Sequence, residues 1–131
     1  MPQELLIAAL GALLLLIHIF VAGHFKTKQY GVTWNTGARD EALPPLNPFA
    51  GRLVRAQANF QETFPVAIVA LLGVVLAGRT SEWTAIGGWL WLGARVAYLP
   101  LYAKGVPKVR SIVFLVSMAG LAIALWPLFT G

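Results

Sequence analysis

Three arginines, a glutamate, an asparagine and two tyrosines hold most of the chemistry this sequence can offer. Arg55, Asn59 and Glu62 recur at i, i+4 and i+7, a spacing that places them on one face of a helix. Arg95, Tyr98 and Tyr102 recur at i, i+3 and i+7, again one face, and Arg110 follows just past the next turn. Arginine takes a carboxylate in bidentate geometry, and Glu62 can hold an ammonium group. With one amide and two phenols added, the set suits a small zwitterion carrying excess negative charge. No strong general base accompanies it. None is needed if an arginine beside a bound thiol lowers the thiol pKa and holds the thiolate. Each residue also has a purely structural reading. Arg55 and Glu62 can fix packing as an ion pair, Arg110 can snorkel to an interface, and Tyr98 and Tyr102 can belong to an aromatic belt. Their common depth favours one shared site between helices.

The elements that must position these groups are membrane-spanning helices. Hydrophobic residues make up 58% of the 131 residues and charged residues 11%. A soluble domain averages about 45–50% and about 25%. Disordered chains are poor in apolar residues, so disorder is excluded. The absence of cysteine excludes a disulfide framework, a thiolate zinc site, an iron–sulfur cluster and a cysteine nucleophile. Two histidines are too few for a histidine-rich metal site, and no metal is expected. Residues 5–23 are apolar apart from His18, long enough to cross a hydrocarbon core of about 30 Å. A cleaved signal peptide would want Lys or Arg ahead of that run, where only Glu4 stands, so a retained first span is expected.

The expected architecture is all-α, a single four-span integral membrane bundle over 1–131 with helices at about 4–24, 55–78, 82–103 and 109–129. Residues 25–54 read as a long loop, because Pro44, Pro45 and Pro48 block a continuous helix. His18 reads as a satisfied polar group inside the bundle, and His24, Lys26 and Lys28 as a solvated cluster next to the membrane. Trp83, Trp89, Trp91 and Trp126 read as interfacial or lipid-facing.

The net charge of +5 fits this picture better than nucleic-acid binding, which is not expected. Lys26, Lys28, Arg39, Arg52, Arg55, Lys104, Lys108 and Arg110 all fall in or beside the first and third connections. The positive-inside rule makes that side cytoplasmic, with both termini outside. A lipophilic second substrate can then enter sideways from the bilayer. A transporter would want polar groups and broken helices at mid-membrane, whereas here the polar groups gather at one end.

The run Arg55-Ala-Gln-Ala-Asn59-Phe-Gln-Glu62-Thr-Phe-Pro65 resembles the second-helix signature of the MAPEG family, the membrane-associated proteins in eicosanoid and glutathione metabolism. Arg95-Val-Ala-Tyr98-Leu-Pro-Leu-Tyr102 and Gly105-Val-Pro-Lys-Val-Arg110-Ser111 are similar to its third-to-fourth helix segment. The likeness covers essentially the whole chain and is nearest the bacterial branch. Thr63 stands where some glutathione-using members place tyrosine, and the Tyr102–Arg110 spacing differs from other members by about one residue. The resemblance implies a homotrimer in a bacterial inner membrane, with glutathione bound between neighbouring subunits near the cytoplasmic face. It implies that Arg55, Gln57, Asn59, Glu62, Tyr98 and Tyr102 bind glutathione, that Arg110 stabilises its thiolate, and that Arg95 supports them. Ser111 is a weaker catalytic candidate, and His24 or Lys26 stands for the family's basic contact from the first helix. The implied activity is glutathione transfer to a lipophilic electrophile or glutathione-dependent peroxide reduction. The alternative is a non-catalytic lipid-binding or scaffolding protein of the same fold.

Overall fold

A computed structural model describes residues 1–130. The order is α1 (Gln3–Tyr30), α2 (Val32–Thr36), α3 (Pro48–Leu76), α4 (Glu82–Ala103) and α5 (Pro107–Leu125), followed by a 3-10 turn, Trp126–Leu128. No strand occurs among the described residues.

Local chemistry sets the boundaries. Gly31, at φ +97°, ends α1 in a conformation that L side chains rarely adopt. The Asn47 side chain accepts a hydrogen bond from the Ala50 amide at 2.9 Å, and Pro48 occupies the first turn of α3. The Ser81 and Thr84 side chains close a capping box at the start of α4. Gly105, at φ +73°, turns the chain before Pro107 opens α5.

These signals shorten the expected loop at 25–54. The first helix continues beyond residue 24 to Tyr30, and the helix expected from 55 starts at Pro48. Proline breaks a helix interior but suits its first turn, where the missing N–H would have no partner. Pro48 therefore starts a helix that the sequence reading had it prevent.

The long helices α1, α3, α4 and α5 pack as a bundle, with α4 lying along α5, α1 along α3, and α3 meeting α4 across the middle. Ile7, Leu14, Phe60, Leu71, Trp91 and Leu121 form the main core. Helices α4 and α5 come close at Gly87 and Gly120, where a Cβ on either would lie 2.6 Å from the other's carbonyl oxygen. Trp91 is fully buried rather than lipid-facing. It stacks on Phe60 and Phe64 in space left by Gly11, where a Cβ would come within 2.8 Å of the indole. Tyr98 is likewise buried rather than part of a belt.

Three helices, Gln3–Tyr30, Pro48–Leu76 and Pro107–Leu128, are long and apolar enough to cross a membrane. Helix α4 has the length, at 22 residues, but Glu82, Arg95 and its aromatic residues temper its hydropathy. Outward-facing Leu13, Phe20, Val69, Trp83, Leu115 and Trp126 give the bundle an apolar exterior suited to lipid. The protein is thus an all-helical, membrane-integral one.

Cross-helix contacts define two ends. At one, Ala22 of α1, Leu53 of α3 and Ala103 of α4 cluster, and Arg52 donates from Nε to the Ala103 carbonyl at 2.7 Å. At the other, the Thr84 hydroxyl donates to the buried Glu4 carboxylate at 2.6 Å, Trp89 donates to Gln3, and Arg79 donates to the Pro127 carbonyl.

Candidate functional site

At the first end, α3, α4 and α5 border a small open cavity of about 190 Å³ lined by Arg52, Arg55, Tyr102, Gly105, Pro107 and Arg110. Three of its walls are guanidinium groups, so an anion is the ligand it can best receive. Arg110 Nη1 donates to the Tyr98 hydroxyl at 3.3 Å, and its guanidinium carbon lies 4.7 Å from the centre of the Tyr102 ring. Tyr98 and Tyr102 meet edge to face, with ring centres 5.6 Å apart. The last turn of α4 thus braces the first turn of α5, leaving one edge of the Arg110 guanidinium available to the cavity.

Beneath this layer lies Arg95, fully buried, with Nε, Nη1 and Nη2 all lacking hydrogen-bond partners among the described residues. Its guanidinium carbon sits 4.4 Å from the Tyr98 ring centre, 5.2 Å from Phe60 and 5.6 Å from Phe114. Three ring faces stand in for the polar partners that a buried cation normally needs. Arg95 is therefore an internal brace for Tyr98 and does not reach the cavity. His18, also buried, bonds the Leu14 carbonyl through Nδ1 at 2.8 Å and stacks on Phe60 at 4.7 Å.

The α3 stripe divides. Arg55 reaches the cavity and lies against Gly51, where a Cβ would stand 3.3 Å from Nη1. Asn59 is half-buried and its Oδ1 has no partner among the described residues. Glu62, nearly two turns beyond Arg55, is exposed and outside the cavity lining. Gln57 points elsewhere. It lines a second, larger cavity with Lys26 and Trp34, as expected for a residue about 200° around the helix from Arg55. Ser111 donates to the Pro107 carbonyl at 3.2 Å and does not line the Arg110 cavity.

Arg52 is the residue the sequence reading left in the loop. It completes the stripe Arg52, Arg55, Asn59, Glu62 on α3, and its side chain packs 3.5 Å from the Cβ position of Gly105. The Asn47-Pro48 pair, a cap followed by a first-turn proline, was the signal that places it on the helix.

The MAPEG family model matches residues 5–130. No curated protein and no solved structure matches the chain. The matched segment takes in all four long helices, and one residue of each polar stripe, Arg55 and Tyr102, lines the cavity beside Arg110. The chain therefore belongs to the MAPEG family.

Proposed function

We propose that the protein is a membrane-bound glutathione-dependent transferase or peroxidase acting on a lipophilic electrophile. The observation that carries this reading is the convergence of Arg55, Tyr102 and Arg110 on one cavity, with Tyr98 fixing Arg110 from behind. Glutathione supplies carboxylates for the arginines and an ammonium group for Glu62. Arg110, donating to the sulfur, holds the thiolate without a general base. In conjugation the thiolate forms a carbon–sulfur bond and the displaced group leaves with the electron pair. In peroxide reduction, two glutathione thiols become a disulfide while the hydroperoxide becomes an alcohol and water.

A homotrimer with the site between subunits forms part of this reading. About 190 Å³ falls below the roughly 300–1,000 Å³ of ordinary ligand pockets. Exposed Glu62, and Gln57 on a different face, need further walls to reach one ligand. A neighbouring copy supplies them. We further place the protein in a bacterial inner membrane with four spans. The basic end, which holds the site, faces the cytoplasm and both termini lie outside.

Isothermal titration of glutathione into the purified protein tests the reading, with Glu62→Ala as a control. Binding heat that weakens at least tenfold in the variant is expected. No heat in the intact protein overturns the proposal in favour of a non-catalytic lipid-binding or scaffolding role.

A further inference from the structure

Unlike Arg55 and Arg110, Arg52 holds a backbone group. Its Nε donates to the Ala103 carbonyl at 2.7 Å, 51 residues away in sequence. Ala103 is the last residue of α4, where a helix leaves its carbonyls without partners. The turn that follows spends its own amides elsewhere: Lys104 on the Pro100 carbonyl, Gly105 on Tyr102 and Val106 on Leu101. Arg52 supplies the donor that the backbone does not. It also sets a positive charge at the end of α4, where the helix dipole favours one. Its stem fills the hollow of the turn. Cδ and Nε lie 3.5 Å from the Cβ position of Gly105, whose φ of +73° keeps the turn tight.

The turn so held is short. Only Lys104, Gly105 and Val106 separate the end of α4 from Pro107, the first residue of α5. Arg110 lies in the first turn of α5, so its place follows from that of the connection. No side chain caps that end of α5. Arg52, Arg55 and Arg110 line one cavity with no carboxylate in its walls, so their mutual repulsion works to part α3 from α5. The bond to Ala103 opposes that push from within the cavity. Leu53, the next residue on α3, packs on Ala103 as well, so polar and apolar contacts pin α3 to the same point of α4.

We infer that Arg52 is a positioning residue: through the Ala103 carbonyl it fixes the α4–α5 turn against α3, and so sets where Arg110 presents its guanidinium. This rests on the glutathione reading above, which gives Arg110 its place at the sulfur. The positioning resides in one atom, Nε, and not in the charge. Glutamine carries its amide nitrogen as many bonds from Cα as arginine carries Nε, so Arg52→Gln keeps the donor and loses the charge. Arg52→Lys keeps the charge and carries its nitrogen one bond farther. Arg52→Met has neither, at nearly the length of the arginine stem.

Steady-state kinetics with glutathione and a lipophilic electrophile, joined to amide hydrogen exchange on the whole protein in detergent, tests it. Arg52→Gln is expected to raise KM for glutathione and to lower kcat by no more than about threefold, whereas Arg52→Lys and Arg52→Met lower kcat by about tenfold or more, as misplacing a reacting group does. The pH at which kcat rises, which follows the bound thiol, moves upward in Lys and Met and stays in place in Gln. Exchange at the Lys104, Gly105 and Val106 amides quickens in Met and not in Gln. Circular dichroism confirms that each variant folds. Equal kcat in Gln and Met overturns the inference. So does a Lys variant faster than Gln, which makes charge the whole contribution of Arg52. The exchange measurement separates this inference from the glutathione reading. If the intact protein turns over no glutathione while the turn loosens in Met alone of these two, the functional reading fails and the tie between Arg52 and the turn stands. If the turn exchanges alike in Gln and Met, the inference fails whatever the activity.

Discussion

Arg110 on α5 donates to the hydroxyl oxygen of Tyr98 on α4 at 3.3 Å, tying the first turn of one helix to the last turns of another. This bond engages Nη1 of the guanidinium, which also lies over the Tyr102 ring and lines the small cavity beside it.

If Arg110 stabilises a thiolate, Arg110→Ala lowers kcat by about a hundredfold or more, in the range seen on deleting one stabilising donor, with a smaller change in glutathione affinity. Tyr98→Phe keeps the ring and loses only the acceptor, so its effect on kcat is several-fold. Steady-state kinetics with a lipophilic electrophile separates kcat from KM. Full activity in Arg110→Ala refutes the assignment.

Arg95 has aromatic rings around it and no hydrogen-bond partner among the described residues. Arg95→Lys keeps a buried charge and loses the planar stacking, whereas Arg95→Met removes the charge and fills the space. Thermal unfolding in detergent is expected to place Lys below Met. The reverse order would mean that an unseen partner neutralises the guanidinium.

The glycines of the bundle provide a steric test. Gly87→Ala sets a Cβ 2.6 Å from the Gly120 carbonyl oxygen, and overpacking of this kind costs about 1–3 kcal/mol. Gly93→Ala meets nothing within 4 Å and gains up to about 1 kcal/mol of helix propensity. Opposite shifts in unfolding temperature are the expected outcome.

Asn47 caps the helix that holds Arg52 and Arg55. Asn47→Ala costs about 1 kcal/mol at the first turn of α3. If the arginines bind glutathione as proposed, its binding weakens as well, because they sit just beyond that turn. Titration calorimetry on Asn47→Ala, beside Asn47→Ser as a cap-preserving substitution, reads both effects.

The helical stripes were readable because 3.6-residue periodicity survives in any environment, and the motifs led to the family that the match over residues 5–130 shows. Arg52 was missed because Pro44, Pro45 and Pro48 dominate the local composition, although Pro48 behaves differently from the other two once Asn47 caps it. Trp91 was misplaced because an aromatic residue in an apolar run looks the same whether it faces lipid or core. What buries it is Gly11, eighty residues away in sequence and on another helix. The separation of Gln57 from Arg55 follows from their spacing of two, which the compactness of the motif conceals.

The close approach of the backbones at Gly87 and Gly120 sets how α4 crosses α5. Tyr98 and Arg110 lie about 15 Å from it along their helices, by the rise of 1.5 Å per residue. A Cβ added at either glycine would drive the two backbones apart, and the helices would carry that displacement to the Tyr98–Arg110 bond. A bulkier side chain at either glycine would therefore be felt at the far ends of the two helices as a shift of Tyr98 against Arg110.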